Sequence, residues 1–151
     1  MSNIKEFNKL VMELIELLNN LITIEETKLN AVSENNLSKL DKCITEEQAY
    51  IMQLRGLDKK REHIQSSLGF QNLTFSEIIN NLPEIHKDEF KNMYDQLLNK
   101  TNDFKSISSS VKTAIEVNLH SIDSIINKLK NDSKGSKKNS TSNTSFTTRF
   151  V

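Results

Sequence analysis

The chain has 151 residues, 36% of them hydrophobic, and its 20 basic and 20 acidic residues give a formal net charge of zero. This length suffices for one domain, and the modest hydrophobic content is typical of narrow helical bundles with a thin core. With one Pro, three Gly and no Trp, the composition favours an all-α fold of long helices over a turn-rich sheet. A neutral chain creates no overall field that would attract nucleic acid or an anionic membrane, so neither partner is expected.

Apolar residues at alternating spacings of three and four predict a first helix over residues 3–32. The stripe is wide enough to face more than one neighbour, so this helix is expected to pack against two others. Charged residues interrupt the stripe at regular intervals, which excludes a signal-peptide core or a membrane span near the N-terminus. We call a line of apolar residues at these spacings a seam, and in the first helix it runs through Phe7, Val11, Leu14, Leu18 and Leu21.

A second helix is predicted from Leu37 to Leu68, because the same apolar spacing resumes after the polar break at residues 33–36. Gly56 interrupts it and should soften its middle, since Gly costs about 1 kcal/mol relative to Ala inside a helix. Gly69 stands where a left-handed C-terminal cap is expected. The pairs of carboxylates along these two helices, such as Glu25-Glu26 and Glu46-Glu47, are interpreted as solubilising faces.

A short helix is predicted at the corner between the second helix and the next long one. Thr74 and Glu77 have the spacing of a capping box, and Leu82-Pro83 follows the short apolar segment that they open. Pro83 is a favoured first-turn residue, so the third long helix should start beside it. The expected architecture is therefore an elongated antiparallel bundle of three long helices and one short helix.

The third long helix should project past the other two. Its apolar seam continues from Phe90 to Leu129, and about 45 helical residues would span roughly 70 Å, against roughly 45 Å for each of the first two helices. Its weakest part is the serine-rich stretch at residues 106–110, where it could kink or fray. Asn118 occupies a seam position that calls for an apolar side chain, which indicates either a role in fixing register or a contact with the backbone of a partner.

The chain divides into a helical domain over residues 1–130 and a tail over residues 131–151. The tail contains four cations and one anion, a net charge of +3, whereas residues 1–130 carry −3. Ser, Lys, Asn and Thr dominate the tail, so it is expected to be disordered. Phe146 and Phe150 are its large apolar residues, and a partner with a pocket would give them a role.

No pattern in the chain indicates catalysis, a metal or a cofactor. His63, His86 and His120 lie far apart, no Glu precedes any of them by three positions and no His-Glu-x-x-His occurs, so the di-iron and zinc-protease patterns are missing. Glu116 and His120 lie one turn apart and are interpreted as a solvated pair on the helix face. The three glycines do not form a phosphate loop. The serines lack a neighbouring base. Cys43 is the single cysteine, which indicates a reducing compartment and, in the absence of a signal peptide, a cytoplasmic protein.

The order of several short motifs resembles that of FlgN-type flagellar export chaperones. The likeness covers about residues 5–130 and includes Leu37-Ser38-Lys39-Leu40, Thr45-Glu46-Glu47-Gln48, Leu54-Arg55-Gly56-Leu57-Asp58-Lys59-Lys60-Arg61, Leu68-Gly69, Phe75-Ser76-Glu77-Ile78-Ile79 and Asn118-Leu119. The resemblance implies a small cytoplasmic chaperone without catalytic activity. It would bind hook-filament junction proteins, keep their terminal helices from aggregating and deliver them to the flagellar type III export gate.

The resemblance also implies that the C-terminal part of the chain binds the substrate protein. The projecting apolar stripe lies in the same region, over residues 111–129, so a substrate segment is expected to fold there as a helix that completes the bundle. The candidate binding residues are Val111, Ile115, Asn118, Leu119, Ile122, Ile126 and Leu129 of the helix, with Phe146 and Phe150 of the tail.

The main alternative is a structural or regulatory coiled-coil scaffold whose seam is covered by self-association. Asn118 would then set the register of a dimer. A chaperone is expected to be a monomer or weak dimer when free and to form a defined complex with its partner, whereas a scaffold should dimerise at low concentration.

Overall fold

The computed structural model describes residues 2–130, which form four helices. They are α1 (Ser2–Ser33), α2 (Leu37–Ser67), α3 (Phe75–Asn80) and α4 (Glu84–Lys130). No strand occurs in this part of the chain. The predicted all-α fold of three long helices and one short helix is confirmed. Residues 131–151, for which disorder was predicted, lie outside the described residues.

Helix α1 is the centre of the bundle. Helices α2 and α4 each pack along it, but they scarcely approach one another. The wide apolar stripe predicted for α1 therefore does face two neighbours, and its side chains supply most of the largest core residues. The hydrophobic residues of α1 that are less than 5% exposed are Phe7, Leu10, Val11, Leu14, Leu17, Leu18, Leu21 and Ala31.

The three long helices run up, down and up. The ring of Phe7 near the start of α1 stacks on Phe90 near the start of α4, with 5.6 Å between ring centroids. Near the other end of α1, the carbonyl oxygen of Val32 accepts a hydrogen bond from the side chain of Asn118 on α4. Helices α1 and α4 are therefore parallel. Helix α2, which lies between them in the sequence, runs antiparallel to both.

Helix α2 ends at the left-handed cap that the sequence predicted at Gly69. Gly69 has a φ of 79°, in the left-handed region that favours glycine. Its N–H donates to the carbonyl of Ser66 at 3.0 Å, and the N–H of Phe70 donates to the carbonyl of Gln65 at 2.8 Å. These two bonds form a Schellman cap, which satisfies carbonyls that the end of the helix leaves without partners.

The corner is built by a capping box and by the side chain of Gln65. Thr74 accepts from the N–H of Glu77 at 3.3 Å, while the Glu77 carboxylate accepts from the N–H of Thr74 at 2.9 Å, as predicted. Gln65 is 1% exposed, and its Nε2 donates to the carbonyls of Phe70 and Leu73 at 3.0 and 3.2 Å. The loop that leads from α2 to α3 is thereby tied back to α2.

The two ends of the bundle differ in packing. At the end that holds α3, which we call the corner end, the rings of Phe7, Phe75, Phe90 and Tyr94 contact one another. At the opposite end, which holds the turn between α1 and α2 and which we call the hairpin end, the buried residues are smaller or polar, and they include Ala31, Val32, Cys43 and Glu25. Within residues 2–130, the contacting aromatic rings therefore lie at the corner end, where they join α1 to α3 and α4.

The carboxylates at the hairpin end correct one interpretation of the sequence. Glu47 was interpreted as part of a solubilising face, yet its side chain is only 16% exposed and pairs with Lys28 of α1 at 3.0 Å. Glu25 is 2% exposed. The pattern of adjacent carboxylates could not reveal this, because burial at this position depends on where α2 crosses α1.

Candidate protein-binding surface

Helix α4 is one continuous rod. It runs for 47 residues from Glu84 to Lys130, which corresponds to roughly 70 Å. The serine-rich stretch at residues 106–110 does not interrupt it, and the hydroxyl of Ser110 donates to the carbonyl of Ser106 at 3.2 Å inside the helix. The predicted long third helix is therefore present in full.

The last part of α4 lies beyond the end of α1. Asn118 stands opposite Val32, one residue before α1 ends, so α4 has about twelve further residues and roughly 18 Å of length with no part of α1 beside it. Every residue from 119 to 130 is exposed except Asn127, which is half-buried. We call residues 119–130 the projecting segment.

The projecting segment carries an apolar face. Leu119, Ile122, Ile126 and Leu129 follow one another at spacings of three and four, and Ile125 lies beside them. Their exposed fractions range from 40% for Ile126 to 80% for Leu129. We call these five residues the α4 apolar face. Contiguous exposed apolar side chains of this size are uncommon on monomeric soluble proteins, so this face is a candidate surface for contact with another protein.

The structure places the predicted binding residues in three environments. Val111 is 3% exposed and packs inside the bundle. Ile115 and Asn118 are half-buried at the point where α4 leaves α1, and the remaining predicted helix residues lie on the α4 apolar face. Phe146 and Phe150 lie outside the described residues.

Two exposed apolar residues near this surface are missing from the predicted set. Ile125 is 58% exposed, as is Val117 just before the projecting segment. Ile125 lies within the apolar seam predicted from Phe90 to Leu129 and within the stripe expected to project. The spacing alone does not show where exposure begins, because it continues unchanged through the buried Phe104 and Val111.

The described residues contain few groups suited to other kinds of site. Within residues 2–130, no group of three or more His, Cys, Asp or Glu side chains could hold a metal ion. Over the same residues, none of the helices is both long enough and apolar enough to cross a membrane. Within residues 2–130, the α4 apolar face is the candidate binding surface that remains.

Comparison with known families identifies the chain. A family model described as FlgN protein matches residues 1–142. The chain belongs to the FlgN family. The match includes all of the described helices, so the α4 apolar face lies within the FlgN region. FlgN membership implies a flagellar export chaperone, a class of protein that binds export substrates. Searches of curated proteins and of solved structures gave no significant match.

Proposed function

We propose that this member of the FlgN family is a cytoplasmic chaperone that binds hook-filament junction proteins through their terminal helical segments. It would keep those segments from aggregating and deliver them to the flagellar type III export gate. The observation that carries the proposal is the α4 apolar face, which the rest of the described chain leaves uncovered. A protein whose purpose is to cover apolar segments of another protein needs such a face.

The binding mechanism is the folding of an amphipathic segment onto the projecting segment. A substrate helix beside residues 119–130 would take the position that α1 vacates at Ser33, so that it continues the packing between α1 and α4. Burial of about 600 Å² of apolar surface would contribute roughly 15 kcal/mol before costs. The ordering of a disordered substrate offsets much of this. Binding is therefore firm enough to protect the substrate and weak enough to permit its release at the export gate.

The test is calorimetry and light scattering with the full chain and the terminal helical segments of hook-filament junction proteins. We expect a stoichiometric complex, and we expect the double variant Ile122→Ser, Ile126→Ser to lose at least tenfold in affinity. Met52→Ser is the matched control, because Met52 is 70% exposed on α2, away from this surface. If the double variant binds as tightly as the control, the α4 apolar face is not the binding surface.

A truncation that removes residues 131–151 tests the tail separately. Unchanged affinity would remove Phe146 and Phe150 from the mechanism, whereas a loss would show that the tail adds contacts to the substrate. The helices should be unaffected in either case, and circular dichroism serves as the check.

Self-association is the second candidate. The spacing of three and four along the α4 apolar face is that of a coiled-coil seam, so two copies could cover one another. The side chain of Asn118 already binds Val32 within the chain, which supports a role in intramolecular register over one in a dimer. Light scattering of the chain alone at several concentrations distinguishes the two, because a scaffold would be dimeric at low concentration.

A further inference from the structure

Helix α2 buries few side chains completely, and between its ends Tyr50, Leu54 and Leu57 are only half-buried where they pack against the core. Its buried residues are Cys43 near one end and Ile64 and Gln65 near the other, and no residue from 44 to 63 is buried. Because α2 scarcely approaches α4, it depends on α1 for its packing. Gly56 lies within this stretch and lowers its helical stability further. Regions with few buried contacts are those that open locally while the remainder stays folded.

A cluster of three charged residues joins α2 to α1 at the hairpin end. The Nζ of Lys28 lies 3.2 Å from Oε2 of Glu25, one turn earlier on α1, and 3.0 Å from Oε1 of Glu47 on α2. The Lys28 side chain is 12% exposed, and the Glu25 side chain is 2% exposed. Two carboxylates thus share one ammonium group in a place with little access to water.

The charges in this cluster do not balance. Burial, followed by the hydrogen bond with Glu47 and its negative charge, raises the pKa of Glu25 to about 7, although Lys28 opposes the shift. Burial alone would lower the pKa of Lys28, but its hydrogen bond with Glu47 and the charges of both carboxylates raise it, so Lys28 stays protonated. With both carboxylates ionised, the cluster has a net charge of −1. Nζ of Lys28 donates its hydrogen bond to Oε1 of Glu25 at 3.4 Å, so Oε2 pairs with the ammonium by charge at 3.2 Å without accepting a hydrogen bond.

We propose that Glu25, Lys28 and Glu47 form a proton-sensitive latch that controls the opening of the N-terminal half of α2 away from α1. With a proton on Glu25, its hydroxyl donates to Glu47 while Lys28 balances the one remaining negative charge, and the latch is closed. Loss of that proton leaves two carboxylates close together and buried, which is costly. Opening of α2 returns both to water and uncovers the side of α1 beneath it.

Other titratable groups near the latch do not oppose it. Burial raises the pKa of the Cys43 thiol on α2, so the thiol stays neutral over the pH range in which Glu25 titrates. Glu46 is exposed and Lys39 half-buried on the same helix, and both act on Cys43. By the register of Val32 with Asn118, the charged residues of α4 nearest the latch are Lys112 and Glu116, and both are exposed.

The direction of the pH dependence follows from the raised pKa of Glu25. The closed form binds the proton more tightly than the open form, in which Glu25 has its ordinary value of 4.5. The equilibrium therefore favours the closed form most below about pH 4.5. It shifts towards the open form as pH rises from about 4.5 to about 7, and it does not change further at higher pH. The full effect on the opening equilibrium is at most roughly 300-fold, as follows from the two pKa values.

Hydrogen exchange of the full chain, followed by NMR and corrected for intrinsic rates, tests the proposal. For the amides of residues 40–55, we expect the opening equilibrium constant to rise tenfold or more between pH 5 and pH 8. For the amides of residues 7–18, we expect this constant not to change. Glu25→Gln should remove the dependence, because a neutral amide remains able to donate to Glu47. Glu34→Gln is the control, since Glu34 is an exposed carboxylate that pairs with Lys39 at the same end of the bundle, and this variant should behave as the unaltered chain does.

A titration of the Glu25 carboxyl by ¹³C NMR requires no variant. A midpoint near 7 supports the latch, and a midpoint near 4.5 overturns it. Equal pH dependence in Glu25→Gln and in the unaltered chain would also overturn it. If Glu25→Gln fails to fold, Glu47→Gln replaces it. Removal of the second carboxylate should move the midpoint of the Glu25 titration to lower pH, and an unchanged midpoint would contradict the proposal.

Discussion

The side-chain amide of Asn118 donates a 3.4 Å hydrogen bond to the carbonyl oxygen of Val32, 86 residues earlier in the chain. This carbonyl belongs to the last turn of α1, where backbone oxygens lack partners further along the helix, and it also accepts from the N–H of Asn35 at 3.1 Å. The contact fixes α4 against the end of α1. It also marks the residue after which α4 continues alone.

Asn118→Ala should lower the free energy of unfolding by about 0.5–1.5 kcal/mol, since it removes a partly buried hydrogen bond. Urea unfolding of both chains measures the difference. Asn99→Ala is the control, because the Asn99 side chain has no comparable bond to α1 and its loss should change stability by less than about 0.5 kcal/mol. Equal effects of the two substitutions would show that the bond to Val32 contributes nothing.

Two glycine substitutions should act in opposite directions. An added Cβ at Gly56 would meet nothing within 4 Å, so Gly56→Ala should stabilise α2 by about 1 kcal/mol. Gly69→Ala should cost about 1–2 kcal/mol, because the φ of 79° is strained for any residue with a Cβ. Thermal unfolding compares both with the unaltered chain. A stabilising Gly69→Ala would mean that the helix can end without the left-handed cap.

Phe7→Ala should destabilise the chain more than any substitution at Asn118, Gly56 or Gly69, by about 3–5 kcal/mol. The ring is fully buried, stacks on Phe90 and meets Phe75 edge to face with 5.7 Å between centroids. Phe7→Leu retains much of the volume and should cost less. Urea midpoints rank both variants against the unaltered chain. A small loss in Phe7→Ala would contradict an anchoring role for the corner end.

Gln65→Glu should destabilise the corner although it preserves the size of the side chain. Nε2 of Gln65 donates to the carbonyls of Phe70 and Leu73. A carboxylate oxygen in its place has no hydrogen to donate, so both hydrogen bonds would be lost and three oxygens would face one another. Oε1 accepts from Arg61 at 2.6 Å, and Glu can keep that bond. We expect a loss of about 1–3 kcal/mol that becomes smaller at acidic pH, where the carboxyl is protonated. A pH-independent loss would assign the effect to packing instead.

The sequence predicted the helices and their ends because those depend on local chemistry. Thr74 and Glu77 form a capping box wherever that spacing starts a helix, and a left-handed cap at Gly69 needs only a residue without a Cβ. The apolar spacing also predicted that α1 has two neighbours and that α4 projects past them. The resemblance of short motifs over about residues 5–130 then led to the family that the comparison shows.

Which apolar residues are covered was decided by the tertiary structure. Val111 and Ile122 belong to the same seam, yet one is 3% exposed and the other 51%, because α1 ends between them. Likewise, Glu25 and Glu26 are neighbours in sequence, but the first is buried at the contact of α1 with α2 and the second is exposed. Periodicity specifies the face of a helix on which a side chain lies, whereas burial depends on where distant segments begin, cross and end.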